Sequence, residues 1–532
     1  MGETHPQEHD GQGEFPPAPQ EREEPPATQP PPLPPGDQLP DMEELHNTLV
    51  PTLKWCPKAA RGEFARELAT LWHRLGEHPE EGRLWCLETM FSRAILPAGR
   101  GPRAGDAYSQ ARLVRERLRR WRQGEYRQLW EEAKELTKER PRGRQGRGRQ
   151  QEEDGAQQSR NAERATTLAQ DGQFTRALQA LTSSGMAPDT RATREAMKTK
   201  HPEATGVQQP APTTDQQQLT FSQLEVEKAV KKFRRGSAPG PSGLRAEHLR
   251  VALQAPPGRR DKALQGLTRL VNSMAGGSVP QEVAPFLCGA RLHAAAKKDG
   301  GIRPIAVGNL LRRLVGKCCA TRLQERAAAL LSPNQLGVGV RGGCEAIVHT
   351  VKQALEEDPS LMCLQADFIN AFNLVGWGVA LEEVARHFPE ILAWVKTCYG
   401  QPSHLLFGVT SILSQLGVHQ GDPLAALIFS LVLHPLVIAI QERVPTITVN
   451  SWFLDDGTAV GRGEELKQVV DILVAEGPAR GLVLSTSATV TAPARPKTTV
   501  WCPQGLGEAQ GLDRRVLKIE EEGGDTFGCA PG

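Results

Sequence analysis

The chain has 532 residues, which is long enough for several domains and a sizeable buried core. Its 64 lysines and arginines nearly balance 62 aspartates and glutamates, so overall charge gives no argument for a nucleic-acid partner. The ten cysteines form no C-x-x-C pair and have no histidines at zinc-finger spacing. This pattern argues against a zinc site and favours reduced thiols in an intracellular setting, nuclear or cytoplasmic.

The sequence shows neither a signal sequence nor a clear membrane-spanning segment. The N-terminus, Met1-Gly2-Glu3-Thr4-His5, lacks the basic and then apolar pattern of a signal sequence. The most apolar run, residues 424–440, is short for a span and is interrupted by His434 and Pro435. We therefore expect a buried helix there and no membrane contact.

The N-terminal part divides by composition. Residues 1–40 are rich in proline and poor in large apolar residues, which predicts a disordered or polyproline-like tail. Residues 41–138 have apolar residues at helical spacing, such as Phe64, Leu68 and Trp72, and predict a helical region. The tail is either inert or, like the helical region, a site for a protein partner.

Residues 112–136 predict one charged helix, and we expect its tryptophans in the core rather than stacked on bases. From Arg103 to Arg149 there are 15 basic and 7 acidic residues, which suits either a phosphate backbone or a solvated helix and tail. Residues 139–218 predict a basic and polar linker. It contains an Arg-Gly stretch at 140–149, a short helical pair around Asp171-Gly172, and a polar, proline-punctuated boundary at 186–218.

A hairpin with cations at its tip is predicted in the next region. Residues 290–296 form an apolar strand, residues 297–301 a turn, and the chain returns from Ile302. Lys297 and Lys298 stand before the tip and Arg303 after it. Taken alone, this is an ordinary exposed turn; the alternative is a binding site for phosphates.

Three carboxylates follow apolar segments further on. Residues 361–366 predict a buried strand that ends at Asp367. Asp455 and Asp456 precede Gly457 between two β-branched runs, which predicts a hairpin in which Gly457 supplies the positive φ. Adjacent carboxylates repel each other and favour a hard cation such as Mg²⁺, although a solvated turn is the alternative. Together with Asp367 they predict a site for two metal ions about 3.5–4 Å apart, as phosphoryl transfer requires.

Several blocks in order resemble the fingers and palm of a reverse transcriptase of the non-LTR retrotransposon type, over residues 221–501. The resemblance implies an α/β fold, with an α+β palm and helical fingers of the right-hand polymerase type at 219–505 and a truncated palm–thumb boundary at 506–532. It also implies an RNA-directed DNA polymerase, which is a nucleotidyltransferase. The matching blocks are Ser237–Leu244, Lys297–Pro304, Gln335–Gly343, Ala366–Asn373, Gly417–Pro423 and Phe453–Gly457.

The resemblance also implies roles for individual residues. Asp367, Asp455 and Asp456 would hold two Mg²⁺ ions, or Mn²⁺, with the carbonyl of Phe368 as a further ligand. The partners would be an RNA template, a DNA primer and deoxynucleoside triphosphates. The remaining implied roles are triphosphate binding by Lys297, Lys298 and Arg303, exclusion of the 2′-hydroxyl by Phe372, contact with the new base pair by Gln420 and Gly421, and protonation of pyrophosphate by Lys497.

Whether the chain is an enzyme stays open at this point, because no thumb, endonuclease or zinc-knuckle pattern is recognisable. The alternative is a retrotransposon-derived remnant that is catalytically inactive and binds nucleic acid or a protein.

Overall fold

A computed structural model of the chain describes residues 33–99, 107–137, 151–170, 177–178, 180–181, 185–204, 218–297, 300–490, 496–502 and 518–521. The Arg-Gly stretch, the turn at Asp171-Gly172, Lys298 and most of the tail predicted at 1–40 lie outside these residues. Of the boundary expected at 506–532, only 518–521 is described.

The described residues combine helices with two β-sheets, as the α/β expectation requires. The α-helices are α1 Met42–Asn47, α2 Arg61–Glu77, α3 Gly82–Ile95, α4 Ala107–Arg122, α5 Tyr126–Thr137, α6 Gln151–Gln170, α7 Arg191–Thr199, α8 Gln223–Lys231, α9 Ala246–Leu253, α10 Pro257–Ala275, α11 Ala284–Leu287, α12 Leu310–Leu331, α13 Gly343–Glu357, α14 Ala371–Leu374, α15 Trp377–His387, α16 Leu392–Tyr399, α17 Ala425–Arg443 and α18 Gly463–Glu476. The strands are β1 Ala290–Ala296, β2 Ile302–Gly308, β3 Met362–Ala366, β4 Ser403–Phe407, β5 Thr410–Ser414, β6 Val449–Phe453, β7 Asp456–Gly461, β8 Thr499–Cys502 and β9 Lys518–Glu521.

The N-terminal helices pack directly on the helices that precede the first strand. Helix α2 buries its predicted apolar stripe, including Phe64 and Trp72, and lies against α10. The tryptophans Trp121 and Trp130 are buried, which confirms that they are core residues. The single helix predicted over 112–136 is wrong, because Gly124 takes a left-handed φ of 83° and separates α4 from α5.

The first sheet has strand order β2-β1-β4-β5 and carries the predicted cationic hairpin. Strands β1 and β2 pair antiparallel from Ala290↔Gly308 to Ala296↔Ile302. One face of this sheet buries a small apolar cluster that is completed by Met197 of α7. Sequence reasoning gave no helix at this position, because α7 has few apolar residues and lies in a polar region.

The second sheet has strand order β6-β7-β3-β8-β9 and holds the carboxylates. Helix α17 packs behind it, against β6 among others. In the described part of the chain, α17 is the one helix long and apolar enough to cross a membrane. However, 67% of its apolar 18-residue stretch is buried inside the protein. This confirms the prediction of a buried core helix.

Candidate active site

The register of the second sheet brings the three predicted carboxylates to one edge. Strand β3 ends at Ala366, which pairs with Gly457 of β7. Asp367 directly follows Ala366 and Asp456 directly precedes Gly457, so both residues lie at the same end of the β3–β7 pair. Asp455 lies in the turn that connects β6 to β7. Strand pairing therefore gathers residues that lie nearly ninety positions apart in the sequence.

The turn itself differs from the prediction. Strand β7 already begins at Asp456, and the residue with positive φ is Leu454, at 57°. The expectation that Gly457 supplies the positive φ is wrong. Gly457 lies within the strand and is a glycine for another reason, since any Cβ there would clash with the ring of Trp452.

Gln335 holds this strained turn in place and was missed as a site residue by sequence reasoning. Its Oε1 accepts hydrogen bonds from the backbone N–H of Leu454 at 2.8 Å and of Gly337 at 2.9 Å. Its Nε2 donates to the carbonyl of Leu454 at 3.1 Å. Gln335 is 2% exposed, so these bonds are shielded from water. A residue in the left-handed region costs about 1–2 kcal/mol, which these contacts offset.

Asp367 is held by Thr498, the residue before β8, and by Ser485. Its N–H donates to Thr498 Oγ1 at 3.3 Å, and its carbonyl accepts from the N–H of Ser485 at 2.8 Å. The next residue, Phe368, bridges to Leu484 and stacks on Trp452 with ring centroids 5.9 Å apart. Because Asp367 and Ile369 make the hydrogen bonds of that bridge, the carbonyl of Phe368 faces away from Leu484.

Burial raises the pKa of all three carboxyl groups, and repulsion from neighbouring carboxylates adds to the rise for Asp455 and Asp367. The pKa of Asp455 rises to about 6, chiefly through desolvation and then through the neighbouring Asp456 and Asp367. Desolvation also raises the pKa of Asp367, with Asp456 adding to it. Partial desolvation raises the pKa of Asp456, although its surface is the most open of the three. Carboxylates in this state favour binding of a cation.

Cations from separate segments of the chain oppose this rise in the pKa of the carboxyl groups. Lys497 and Lys297 act on Asp367 and lower its pKa, and Arg303 does the same for Asp455 and Asp456. Two cations of the predicted hairpin, Lys297 and Arg303, therefore act electrostatically on the predicted carboxylates. Lys200 also lowers the pKa of Asp367, and it was not among the predicted site residues.

The other predicted residues lie around this edge. Phe372 is half-buried and stacks on Phe429 of α17, with ring centroids 4.7 Å apart and planes 7° from parallel. Gln420 accepts a hydrogen bond at its carbonyl from the N–H of Ala306 in β2 at 3.0 Å. Gly421 has a φ of 132° and lies so close to the Ala306 carbonyl that a side chain would clash. The segment after the β4–β5 hairpin is thus fixed against the cationic hairpin formed by β1 and β2.

A buried ion pair supports Gln420 and Gly421 from behind. Arg312 Nη2 donates to Asp422 Oδ2 at 2.7 Å, and these side chains are 2% and 5% exposed. Tyr399 donates its hydroxyl to the same carboxylate at 2.9 Å. Burial and the Arg312 charge hold the pKa of His419 well below its usual value, so its neutral Nδ1 accepts from Arg312 Nη1 at 2.8 Å. This network connects the segment after β5 to α12 and α16.

The donor set fits a divalent cation in chemistry, since it consists of buried, mutually repelling oxygen ligands. Within the described residues, no group of three or more His, Cys, Asp or Glu side chains stands close enough to hold one ion in this conformation. Asp367, Asp455 and Asp456 would have to turn their carboxylates toward a shared ion, which their common electrostatic field favours.

Comparison with known proteins finds a similarity to one protein family in this part of the chain. Residues 295–495 match the sequence model of the reverse transcriptase (RNA-dependent DNA polymerase) family. The match contains the three carboxylates, Lys297, Arg303 and Phe372, but not Lys497, Lys200 or the N-terminal helices. It covers less than half of the chain. A reverse transcriptase-like domain is therefore supported for this region, and the non-LTR type stays a prediction.

A solved structure of apo telomerase from Candida tropicalis, truncated from its C-terminal domain, resembles part of the chain. The alignment has 15% sequence identity and a TM-score of 0.30, and it covers 38% of this chain. This chain spans 49% of that telomerase, so about half of the relative has no counterpart in the alignment. A likeness at this TM-score carries no argument about activity.

Proposed function

We propose that this protein is an RNA-directed DNA polymerase of the non-LTR retrotransposon type. The observation that carries the proposal is the β3–β7 register, which brings Asp367 and Asp456 to the same end of the strand pair, with Asp455 in the adjoining turn. The family match over the same residues supports it. Such a polymerase would extend a DNA primer along an RNA template with deoxynucleoside triphosphates.

The carboxylates of Asp367, Asp455 and Asp456 would hold two Mg²⁺ ions, or Mn²⁺, with the carbonyl of Phe368 as a further ligand. When bound, such ions stabilise the charge that develops on the attacking and leaving oxygens. The chain's own contribution is to keep the carboxylate oxygens of the three aspartates desolvated and fixed. The Gln335 contacts hold the turn of Asp455 and Asp456, and Thr498 anchors Asp367.

The cations around the carboxylates would bind the nucleotide. Lys297, Lys298 and Arg303 would hold the triphosphate from the hairpin, and preorganised charges of this kind stabilise a pyrophosphate leaving group. Lys497 would donate the proton that pyrophosphate takes up. It acts electrostatically on both Asp367 and Asp456, which supports a place beside the reacting groups.

The proposed contacts with the nucleotide and the base pair are those implied by the resemblance to reverse transcriptases. Phe372 would exclude a 2′-hydroxyl and select deoxynucleotides, and its stacking on Phe429 would keep the ring from moving aside. Gln420 and Gly421 would lie against the new base pair, with their backbone fixed by Ala306.

A cluster of four cations on the fingers suits a polyanionic template. Arg313 and Lys317 lie over the ring of Phe233, with Lys317 Nζ 5.2 Å from its centroid, and Lys232 and Arg234 flank Phe233 in the sequence. In the part of the chain that the structure describes, none of the four forms an ion pair with a carboxylate. The Nε of Arg313 is buried without a hydrogen-bond partner. We call Phe233 and these four cations the Phe233 cluster, and phosphates of the RNA template would bind to it.

A protein partner would use the proline-rich tail or the N-terminal helices, in the nucleus or cytoplasm.

Primer extension tests this function. The full chain is incubated with an RNA template, a DNA primer, deoxynucleoside triphosphates and Mg²⁺ or Mn²⁺, beside Asp455→Ala and Asp471→Ala. Asp471 is an exposed carboxylate paired with Lys467, so its loss is expected to leave extension unchanged. Extension that Asp455→Ala abolishes supports the proposal. Equal extension by both variants, or none with either metal, contradicts it.

One observation favours a second candidate, the catalytically inactive remnant that binds nucleic acid or protein. It is the lack, in the described chain, of three ligands already gathered on one ion position. This candidate predicts that RNA binding survives replacement of all three carboxylates by alanine and does not depend on metal. It also predicts that Mg²⁺ and Mn²⁺ leave the unfolding temperature unchanged.

A further inference from the structure

A segment far before the carboxylates in sequence is attached to the cationic hairpin. Residues 185–204, which we call the strap, run along the end of β1. The N–H of Ala187 donates to the carbonyl of Ala294 at 2.8 Å, and the N–H of Ala296 donates to that of Gly185 at 3.1 Å. Ala296 is the residue before Lys297. The strap therefore adds a short extended piece to the hairpin that carries the predicted phosphate-binding residues.

The helix of the strap is packed against the same sheet. Met197 of α7 is fully buried among residues of β1, β2, β4 and β5. Asp189 pairs with Arg194 at 2.6 Å and lies beside Gly408 in the turn between β4 and β5. Burying a methionine side chain is worth roughly 1.5–3 kcal/mol, so the strap belongs to the folded fingers rather than to a loose linker.

The end of the strap reaches the loop that follows Asp367. Asn370 Nδ2 donates to the carbonyl of Lys200 at 2.8 Å. Asn370 has a left-handed φ of 51° and also accepts, at its Oδ1, a hydrogen bond from Asn373 at 2.8 Å. Further along, the N–H of Ala204 donates to Gln415 at 3.1 Å. The strap thus spans from the first sheet to the loop after Asp367.

These contacts fix the backbone of Lys200 beside Asn370, three residues after Asp367. Lys200 and Lys297 both lower the pKa of Asp367, against the rise that its burial causes. One of these cations comes from the hairpin and the other from the strap, so two independent segments direct positive charge at the same place. A triphosphate carries several negative charges and is bound most tightly by donors that are fixed before it arrives.

We propose that the strap is part of the nucleotide site and that Lys200 is a further cationic residue of it, one that contacts the triphosphate of the incoming nucleotide. This inference rests on the proposed polymerase function and adds a residue that lies outside the family match. Because the strap is hydrogen-bonded to both β1 and Asn370, Lys200 stays between the hairpin and the loop after Asp367.

Full-length Lys200→Gln, Lys200→Arg and Lys198→Gln variants test it. Lys198 lies in the last turn of α7, two residues before Lys200, is exposed and pairs with Glu195 at 3.3 Å, which makes it a matched control. Binding of an α,β-imido deoxynucleoside triphosphate to each protein is measured by calorimetry with primer–template and Mg²⁺. The deoxynucleoside monophosphate is the comparison ligand, and thermal unfolding checks folding. A Lys200→Met variant replaces Lys200→Gln if the latter unfolds.

Lys200→Gln is expected to weaken triphosphate binding by at least about tenfold and monophosphate binding much less, since one charge-assisted hydrogen bond is lost. Lys200→Arg is expected to retain most of the affinity, and Lys198→Gln all of it. Unchanged triphosphate affinity in Lys200→Gln overturns the inference, as does a loss of turnover without a loss of affinity. If the unmodified protein extends primers while Lys200→Gln matches it, only this inference fails. If the unmodified protein neither binds the analogue nor extends primers, the proposed function fails with it.

Discussion

The side chain of Gln335 makes hydrogen bonds with both backbone polar groups of Leu454, the residue directly before Asp455 and Asp456. Leu454 has a φ of 57°, a conformation that non-glycine residues avoid, so the turn depends on these contacts. The acidic pair is consequently positioned by a residue about 120 positions upstream. This relationship explains why a buried glutamine follows α12.

Replacing Gln335 by alanine is expected to lower kcat for primer extension by about one to two orders of magnitude, with little change in KM for the nucleotide. The turn would lose two hydrogen bonds, and the free energy of unfolding would fall by about 1–3 kcal/mol. Steady-state kinetics and urea unfolding measure the two effects. Adding Leu454→Gly, which relieves the left-handed strain, should restore part of kcat. Gln353→Ala, at an exposed position of α13, is the control. Equal kinetics for Gln335→Ala and Gln353→Ala would contradict the positioning role.

The Arg312–Asp422 pair is predicted to hold the segment of Gln420 and Gly421 on α12. Removing one partner leaves a buried charge uncompensated, so Arg312→Met and Asp422→Leu should each destabilise the protein by about 3–5 kcal/mol. The double variant should be less destabilised than the sum of the single ones. Chemical unfolding of all three gives the coupling energy. The exposed pair Arg269–Glu77 provides a comparison expected to contribute at most about 1 kcal/mol. Strict additivity at Arg312 and Asp422 would show that the two side chains act independently.

The Phe233 cluster is expected to bind RNA through phosphates. Neutralising Arg234 and Lys317 together as glutamines should weaken binding of a single-stranded RNA and flatten its salt dependence by roughly 0.7 per lost contact in log–log slope. Fluorescence anisotropy at several salt concentrations measures both quantities. Lys467→Gln, which removes an exposed and paired lysine of α18, is expected to change neither. An unaltered slope in the double variant would place the RNA elsewhere.

Glu88 is expected to make stability fall between about pH 4.5 and 7. Complete burial raises the pKa of this carboxyl from 4.5 to about 7, and its Oε1 has no hydrogen-bond partner. In this interval the folded protein keeps a proton that the unfolded chain releases, so the free energy of unfolding decreases as pH rises. Glu88→Gln should remove that decrease and stabilise the protein at pH 8 by about 2–3 kcal/mol, but not at pH 4. Unfolding curves at both pH values measure it, and a gain that is the same at pH 4 and pH 8 would count against this origin.

Local patterns in the sequence were enough to predict many elements. Strand β3 ends at Ala366, directly before Asp367, as expected, and β1, β2 and α17 lie where alternation, apolar periodicity and turn residues predicted them. The type of such short elements depends on the pattern of residues within a single strand or helix. The roles assigned to Asp367, Asp455 and Asp456 stay predictions, although the register brings them to one edge as the two-metal hypothesis requires.

Contacts between distant segments decided the rest. No local signal indicates that Leu454 rather than Gly457 takes the positive φ, because that choice depends on Gln335 and on the ring of Trp452. Nor does a polar, proline-punctuated stretch indicate that Met197 completes the apolar cluster of the first sheet and that the carbonyl of Lys200 binds Asn370, three residues after Asp367. By itself, the sequence determined which residues could form strands, helices and a charged site. The tertiary structure decided which of them meet, since burial and hydrogen bonding across the chain outweigh the weak conformational preference of any single residue.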